Sequence, residues 1–124
     1  IVAGPGIEGG RVSDALVELI DVNPTICELA GLPPQENIDA RSVGPVLRGE
    51  AHEHREDAVS AITNFRTIRT DRYKLIVNYN APNELYDLHE DPQELHNIAS
   101  DRPEVVSDLR RRLHRRFLEG GNQR

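Results

Sequence analysis

The residues whose types and spacing could support metal chemistry lie in one polar run, Glu50–Asp57. His52 and His54 stand one residue apart there, with Glu53 and Glu56 as further possible ligands. Two histidines at that spacing face the same side only in a strand, whereas a run of this charge density is typical of a loop. We therefore favour a solvated linker over a metal site.

Nucleophilic chemistry has little support. The one cysteine, Cys27, lies between Ile26 and Glu28 in a predicted helix, which is typical of a small core residue rather than a reactive thiolate. A single cysteine allows no internal disulfide and leaves the redox compartment undetermined. The serines lack a G-x-S-x-G arrangement, and the early glycines fit neither a dinucleotide fingerprint nor a Walker loop. Those glycines are interpreted as turn residues.

Three carboxylates close together in sequence, Asp87, Asp91 and Glu94, could in principle form an acid–base pair or a calcium site. Their spacing does not follow the EF-hand pattern. Asp91-Pro92 with Glu94 instead matches a capping box, which predicts a helical turn as far as Asn97.

Composition and charge exclude some classes of protein and leave others open. The net charge of -6 argues against a general nucleic-acid binder. No apolar run approaches the length of a membrane span, so no membrane partner is expected. Basic residues gather near the end, where they predict the solvated face of a helix: Arg110, Arg111, Arg112, Arg115 and Arg116. With 37% hydrophobic and 4% aromatic residues, the chain could be a small polar domain or a piece of a larger protein.

The elements that would position these residues change character along the chain. Ile1-Val2 runs into a Gly-rich loop and predicts the end of a strand whose partners lie elsewhere, and the apolar stretch from Ala15 to Val22 could be a strand or a buried helix. Asn23-Pro24 predicts a helix start with Asn23 as its N-cap, and Gly31 a left-handed C-terminal cap. A short helical turn is predicted over residues 43–49.

From Ala58 onward a period of two predicts an antiparallel meander, with strands over residues 58–63, 66–70, 73–79 and 84–88. Asp101-Arg102-Pro103-Glu104 predicts a long final helix that ends at Gly120-Gly121. Its apolar stripe, Leu109, Leu113 and Phe117, should cover the apolar face of the sheet. The residues therefore predict an α+β scaffold: a small antiparallel sheet of three or four strands packed by a C-terminal helix.

Two stretches resemble type I, formylglycine-dependent sulfatases of the alkaline-phosphatase-like superfamily. Residues 19–31, LIDVNPTICELAG, resemble the family's D-(apolar)-x-P-T…A-G segment. Residues 66–76, RTIRTDRYKLI, and 84–99, ELYDLHEDPQELHNIA, resemble its R-T-x-x-Y-K strand pair and its E-L-Y-D-L…D-P-x-E…N-(apolar)-A signature. Ala40 and Val43 depart from the family's D-G-x-S-L turn.

The resemblance implies that residues 1–50 form an edge segment of an α/β main domain and residues 51–124 a C-terminal α+β subdomain. The family's Cys/Ser-x-Pro-x-Arg motif and its metal-binding aspartates lie N-terminal to such a region, and Cys27 is not followed by that motif. We expect no catalytic residue, metal ligand or cofactor here. The resemblance implies a missing N-terminal catalytic domain that uses formylglycine with calcium or magnesium on a sulfate-ester substrate. Residues 51–64 match no family pattern, and in such enzymes this variable region can contribute to the substrate pocket. Asn64, at its end, and the nearby Arg66 are the candidate substrate-binding residues.

Two other interpretations remain open at this point: the same region of a related phosphonate or phosphate monoester hydrolase, and a stand-alone non-catalytic module. A fragment should expose apolar surface around residues 16–20 and tend to self-associate.

Overall fold

The computed structural model describes residues 1–121; residues 122–124, the end of the predicted subdomain, lie outside the described part. The chain divides into two compact units, Ile1–Glu56 and a second that begins at Asp57. The first contains a 3₁₀ turn (Leu19–Asp21), α1 (Val22–Leu29) and α2 (Gly44–Leu47). The second contains β1 (Ala58–Ile62), β2 (Phe65–Arg69), β3 (Tyr73–Asn78), β4 (Glu84–Asp87) and α3 (Pro103–Gly121).

The second unit is built on a four-stranded antiparallel meander in the order β1-β2-β3-β4, as the alternating pattern predicted. Its register brings Ile68 opposite Leu75, and Leu75 opposite Leu85. All three side chains are fully buried. Since side chains alternate across a strand, this one row fixes which residues of all three strands face the core.

Helix α3 covers that face of the sheet, which confirms the predicted stripe. Leu109 and Leu113 join the three sheet residues in one buried cluster, and Phe117 and Tyr73 pack against its margin. The amphipathic period of α3 places these residues on one side of the helix because positions four apart share a face. The α+β class follows from this helix-on-sheet packing.

The outer edge of β4 is covered by the chain that follows it. Asn97 Oδ1 accepts hydrogen bonds from the backbone N–H groups of Leu85 and Ala99, both at 3.0 Å, and its Nδ2 donates to Asn83 O at 3.1 Å. The Ile98 N–H donates to Leu85 O at 2.9 Å. One asparagine and one backbone group thus satisfy both polar groups of Leu85 on that edge.

In the first unit, helix α1 begins earlier than predicted. It starts at Val22, with Asp21 in the N-cap position, because the 3₁₀ turn leads directly into it; Asn23 is therefore not the cap. The predicted end is confirmed: Gly31 has φ +69°, and its N–H donates to Glu28 O while that of Leu32 donates to Cys27 O. These two bonds form a Schellman motif.

Residues 1–10 form turns and irregular backbone, and no strand of the described chain pairs with them; the expected strand end, whose partners would lie elsewhere, stays a prediction. Another prediction, the helical turn after Asp91, is wrong. The segment after Asp91 is not helical, because Glu94 has φ +57°, outside the right-handed helical region. Asp91 instead accepts a bond from the His96 N–H at 2.8 Å.

Candidate functional site

The side chain of Asp21 lies at the centre of a buried polar network within residues 1–56, and its relative exposure is 0%. The Arg55 guanidinium donates to both carboxylate oxygens, with Nε 2.8 Å from Oδ2. Backbone N–H groups of Glu18 and Arg41 donate to Oδ2 at 2.9 Å and to Oδ1 at 2.8 Å, respectively. His54 Nε2 lies 3.1 Å from Oδ2. The carboxylate is therefore saturated with partners.

This network determines the ionisation of Asp21. Burial alone would raise its pKa, but the hydrogen bonds from Arg55 and from the Arg41 and Glu18 backbones, with the charge of Arg55, hold the pKa well below its usual range. The carboxylate is thus ionised at neutral pH despite its burial. A buried charge with this many donors joins the segments that supply them.

The polar run around His54 is consequently not the solvated linker that its charge predicted. The side chains of His54 and Arg55 are only 7% and 2% exposed, because both reach Asp21. Arg55 Nη2 also donates to Asp39 O at 3.0 Å. His52 and Glu53 remain exposed. The network joins three separated segments of the chain through buried groups, so we assign it a structural role.

A different arrangement surrounds Arg66, one of the two predicted substrate-binding residues. Its guanidinium carbon lies 4.4 Å from the centre of the Phe117 ring and 5.9 Å from that of Tyr79. The backbone N–H of Tyr79 donates to Asn64 O at 3.1 Å. Asn64 is exposed in the β1–β2 turn, Arg66 is half-buried on β2, and Tyr79 is 52% exposed. The second unit thus brings the side chains of Arg66, Tyr79 and Phe117 together, with Asn64 bonded to Tyr79 through its backbone oxygen.

The arginines of α3 are not all solvated as predicted. Arg112 Nη2 lies 2.7 Å from Asp57 Oδ2, and Arg116 Nη1 lies 2.9 Å from Asp57 Oδ1. Asp57 is buried. Two arginines one turn apart therefore hold the start of the second unit against its last helix, while Arg110 and Arg115 are exposed.

The carboxylates considered for acid–base or calcium chemistry each have a separate partner. Asp87 Oδ2 lies 2.8 Å from Arg72 Nη2, and Glu94 Oε2 lies 2.5 Å from Lys74 Nζ. Among the side chains that the structure describes, no group of three or more histidine, cysteine, aspartate or glutamate residues is arranged to hold a metal ion. Cys27 Sγ contacts Asn23 Oδ1 at 3.7 Å inside α1. None of these groups is assembled for catalysis.

Residues 1–122 match the family described as "N-sulphoglucosamine sulphohydrolase, C-terminal". The chain belongs to this family. Arylsulfatase K of Gallus gallus is 33% identical over 127 residues, a match that covers 88% of this chain and 23% of that protein. The chain thus spans about a quarter of the length of the curated relatives it matches.

Solved structures show the same fold for this region. The protein BT4656, solved with its substrate D-glucosamine-2-N,6-O-disulfate, superposes with a TM-score of 0.80 at 26% identity, covering 94% of this chain and 27% of that one. The phosphonate monoester hydrolase of Agrobacterium radiobacter superposes with a TM-score of 0.72 at 25% identity, covering 90% and 27%. The predicted resemblance to a sulfatase C-terminal region is confirmed.

Sequence reasoning missed Asp21, Arg55 and Tyr79. The sequence did contain a signal for Asp21, because it is an acid within the apolar stretch Leu19-Ile20-Asp21-Val22. An acid in such a stretch predicts a buried charge, and a buried charge is rarely left without a partner. Its partner Arg55 lies far along the chain and has no local signal. Tyr79 was predicted only as an alternating strand residue.

Proposed function

We propose that this chain is the C-terminal region of a larger sulfatase, in which it supports the enzyme and borders the substrate pocket while other parts of the protein carry out hydrolysis of a sulfate ester. The observation that carries the proposal is the family match over residues 1–122 together with relatives of about four times the length. In this arrangement residues 1–50 belong to the edge of an α/β main domain and residues 51–124 form the C-terminal subdomain.

The exposed apolar side chains of the first unit are an argument that a further domain covers them in the intact protein. The relative exposure of Val12 is 94%, that of Leu19 is 89% and that of Ile26 is 60%. Several such side chains within one small unit are typical of a surface that is covered in the intact protein. We propose an N-terminal catalytic domain as that cover. Self-association of the isolated chain through apolar surface around residues 16–20 is the related expectation, and light scattering of the purified chain measures it.

Type I sulfatases use formylglycine and a divalent metal ion, proposed here as calcium or magnesium. The residues of this chain do not fit either group. Cys27 is followed by Glu28-Leu29-Ala30 and lies inside α1, and among the described side chains no three histidine, cysteine, aspartate or glutamate groups are placed to hold a metal ion. Both groups would therefore be held by other parts of the protein, and the role of this chain is to bind and position.

Asn64 and Arg66 are the residues that we propose at the border of the pocket. Arg66 presents a cation on an aromatic surface, and Asn64, two residues earlier in the β1–β2 turn, is exposed. Both suit an anionic, hydroxyl-bearing substrate.

The test is to express the complete reading frame that contains this chain and to assay release of sulfate from 4-nitrophenyl sulfate. Activity that is lost on chelation and restored by calcium or magnesium, together with a formylglycine detected by mass spectrometry, would support the proposal. A full-length protein without any sulfate-ester hydrolysis would contradict it.

A phosphonate monoester hydrolase is the second candidate, because the Agrobacterium radiobacter enzyme superposes with a TM-score of 0.72. The same preparation distinguishes the two: a phenylphosphonate monoester hydrolysed with a higher kcat/KM than the aryl sulfate would favour this alternative.

A further inference from the structure

We propose that Arg66, Tyr79 and Asn64 form a platform for one anionic sugar residue of the substrate, distinct from the residue whose ester is hydrolysed. This inference rests on the proposed sulfatase function and adds a specificity-determining subsite to it. The three residues are called the Arg66 platform below.

The first argument is the state of the Arg66 guanidinium. It is half-buried, and no described residue provides it with a carboxylate or a hydrogen-bond acceptor. Other half-buried or buried arginines behave differently, since Arg55 binds Asp21 and Arg112 binds Asp57. A half-buried cation without an anionic partner among the described residues keeps its donors available for an external anion.

The second argument is the direction in which its donors remain available. The guanidinium carbon lies over the Phe117 ring, 4.4 Å from the ring centre, and the attraction there is between the cation and the ring. No described residue accepts a hydrogen bond from the guanidinium N–H groups, so this planar fork remains able to bind a pair of oxygens. A carboxylate or a sulfate group supplies such oxygens, and charged pairs of this kind are the stronger hydrogen bonds.

The third argument is what lies beside the cation. Tyr79 is 52% exposed, and the centre of its ring lies 5.9 Å from the Arg66 guanidinium carbon. An exposed aromatic ring provides a flat apolar surface with a polar tip. The exposed Asn64, whose backbone oxygen accepts a hydrogen bond from the Tyr79 N–H, adds an amide that can both donate and accept hydrogen bonds. A sugar residue that carries an acidic group has the matching parts: an apolar ring face, hydroxyl groups and an anion.

The residues of the Arg66 platform are held in place by the sheet and by α3, as selective binding of one kind of sugar requires. Arg66 lies opposite Val77 in the β2–β3 ladder, and Tyr79 is joined to the β1–β2 turn through Asn64 O. Phe117 packs against the buried core cluster. Ligand groups on strands and packed helices are held more closely than groups on loops.

The experiment uses the full-length enzyme and two substrates. One is 4-nitrophenyl sulfate, which cannot reach beyond the reacting ester. The other is a sulfated tetrasaccharide in which uronate and sulfated glucosamine residues alternate. The variant Arg66→Gln is compared with Arg69→Gln, a matched control on the same strand, whose exposed side chain lies on the opposite face of the sheet.

We expect Arg66→Gln to raise the KM for the tetrasaccharide about 10- to 100-fold, the range of a charge-assisted hydrogen bond, with kcat little changed. Its kcat/KM on 4-nitrophenyl sulfate should fall far less than its kcat/KM on the tetrasaccharide, and Arg69→Gln should match the wild type on both substrates. Tyr79→Leu should give a smaller increase of the same kind.

Two results would overturn the platform. One is an Arg66→Gln enzyme whose tetrasaccharide KM equals that of Arg69→Gln. The other is an equal loss on both substrates with a lowered Tm, which would assign Arg66 a structural role. If the wild type hydrolyses neither substrate, the proposed function fails, and calorimetric titration with the tetrasaccharide then decides the platform: binding that Arg66→Gln weakens supports it, and binding that is unchanged or absent refutes it.

Discussion

The buried carboxylate of Asp21 can be tested by replacing it with asparagine. In Asp21→Asn the Arg55 guanidinium, whose side chain is 2% exposed, keeps its charge and loses its anion. The new amide also turns an NH₂ group toward donors. Removal of one partner from a buried pair costs about 3–5 kcal/mol, and we expect the lower end because one acceptor oxygen remains.

Hydrogen exchange at single amides is the suitable assay, since the Glu18 and Arg41 N–H groups donate directly to this carboxylate. A loss of about 3 kcal/mol in local stability should speed exchange at these amides roughly 100-fold. Asp39→Asn is the matched control because the bond of Arg55 to residue 39 uses the backbone oxygen, which the variant retains. Equal, small effects of the two variants on exchange at Arg41 would refute the structural role of Asp21.

The same group makes a definite contribution to the pH dependence of stability. The folded state holds the pKa of Asp21 well below its ordinary value of 3.8. The unfolded chain therefore binds the proton more readily, so the stabilisation is complete above pH 3.8 and is lost as the pH falls from there through the lowered value. Asp21→Asn should show a flatter acid limb than Asp39→Asn when the free energy of unfolding is measured against pH.

Two further predictions concern the second unit. Leu109→Ala should reduce the free energy of unfolding by about 2–5 kcal/mol, since Leu109 lies in the core and is 3% exposed. The control Leu118→Ala, at a residue of α3 that is 59% exposed, should cost less than about 0.5 kcal/mol. A denaturant titration that finds a loss of less than about 1 kcal/mol for Leu109→Ala would contradict the core assignment. The hydrogen bond to Glu84, and after it burial, raises the pKa of Tyr86 to about 12. A titration followed by phenolate absorbance should therefore show a component at high pH that Tyr86→Phe removes and Glu84→Gln shifts to lower pH. An unchanged titration curve in both variants would count against this hydrogen bond.

The second unit could be predicted from local patterns because its packing is local. The alternating residues of the strands and the apolar stripe of α3 each indicate which side of the element faces the core. Strands that are consecutive in the chain are also neighbours in the sheet. The main error in this region, the helical turn after Asp91, arose because the capping pattern says nothing about the backbone of Glu94. That residue has a positive φ and directs its carboxylate to Lys74.

The first unit was harder to predict because its polar contacts are distant in sequence. Asp21 meets Arg41 and Arg55 from separate loops, and neither loop has a periodic pattern. For the candidate platform, Arg66 was selected from the sequence, but its place beside Phe117 depends on how α3 lies on the sheet. The distance between Arg66 and Phe117 depends on tertiary packing, so the spacing of residues along the chain does not predict it.

The cover that residues 97–98 provide for β4 has a consequence for solubility. An open strand edge can recruit a strand from another molecule and so begin aggregation. At Leu85 that possibility is removed because Asn97 and the Ile98 backbone occupy the positions where a foreign strand would bond. Residues 97–98 follow β4 closely in the chain and precede α3. During synthesis the residues that cover the strand edge are therefore made soon after the strand itself and before the last helix.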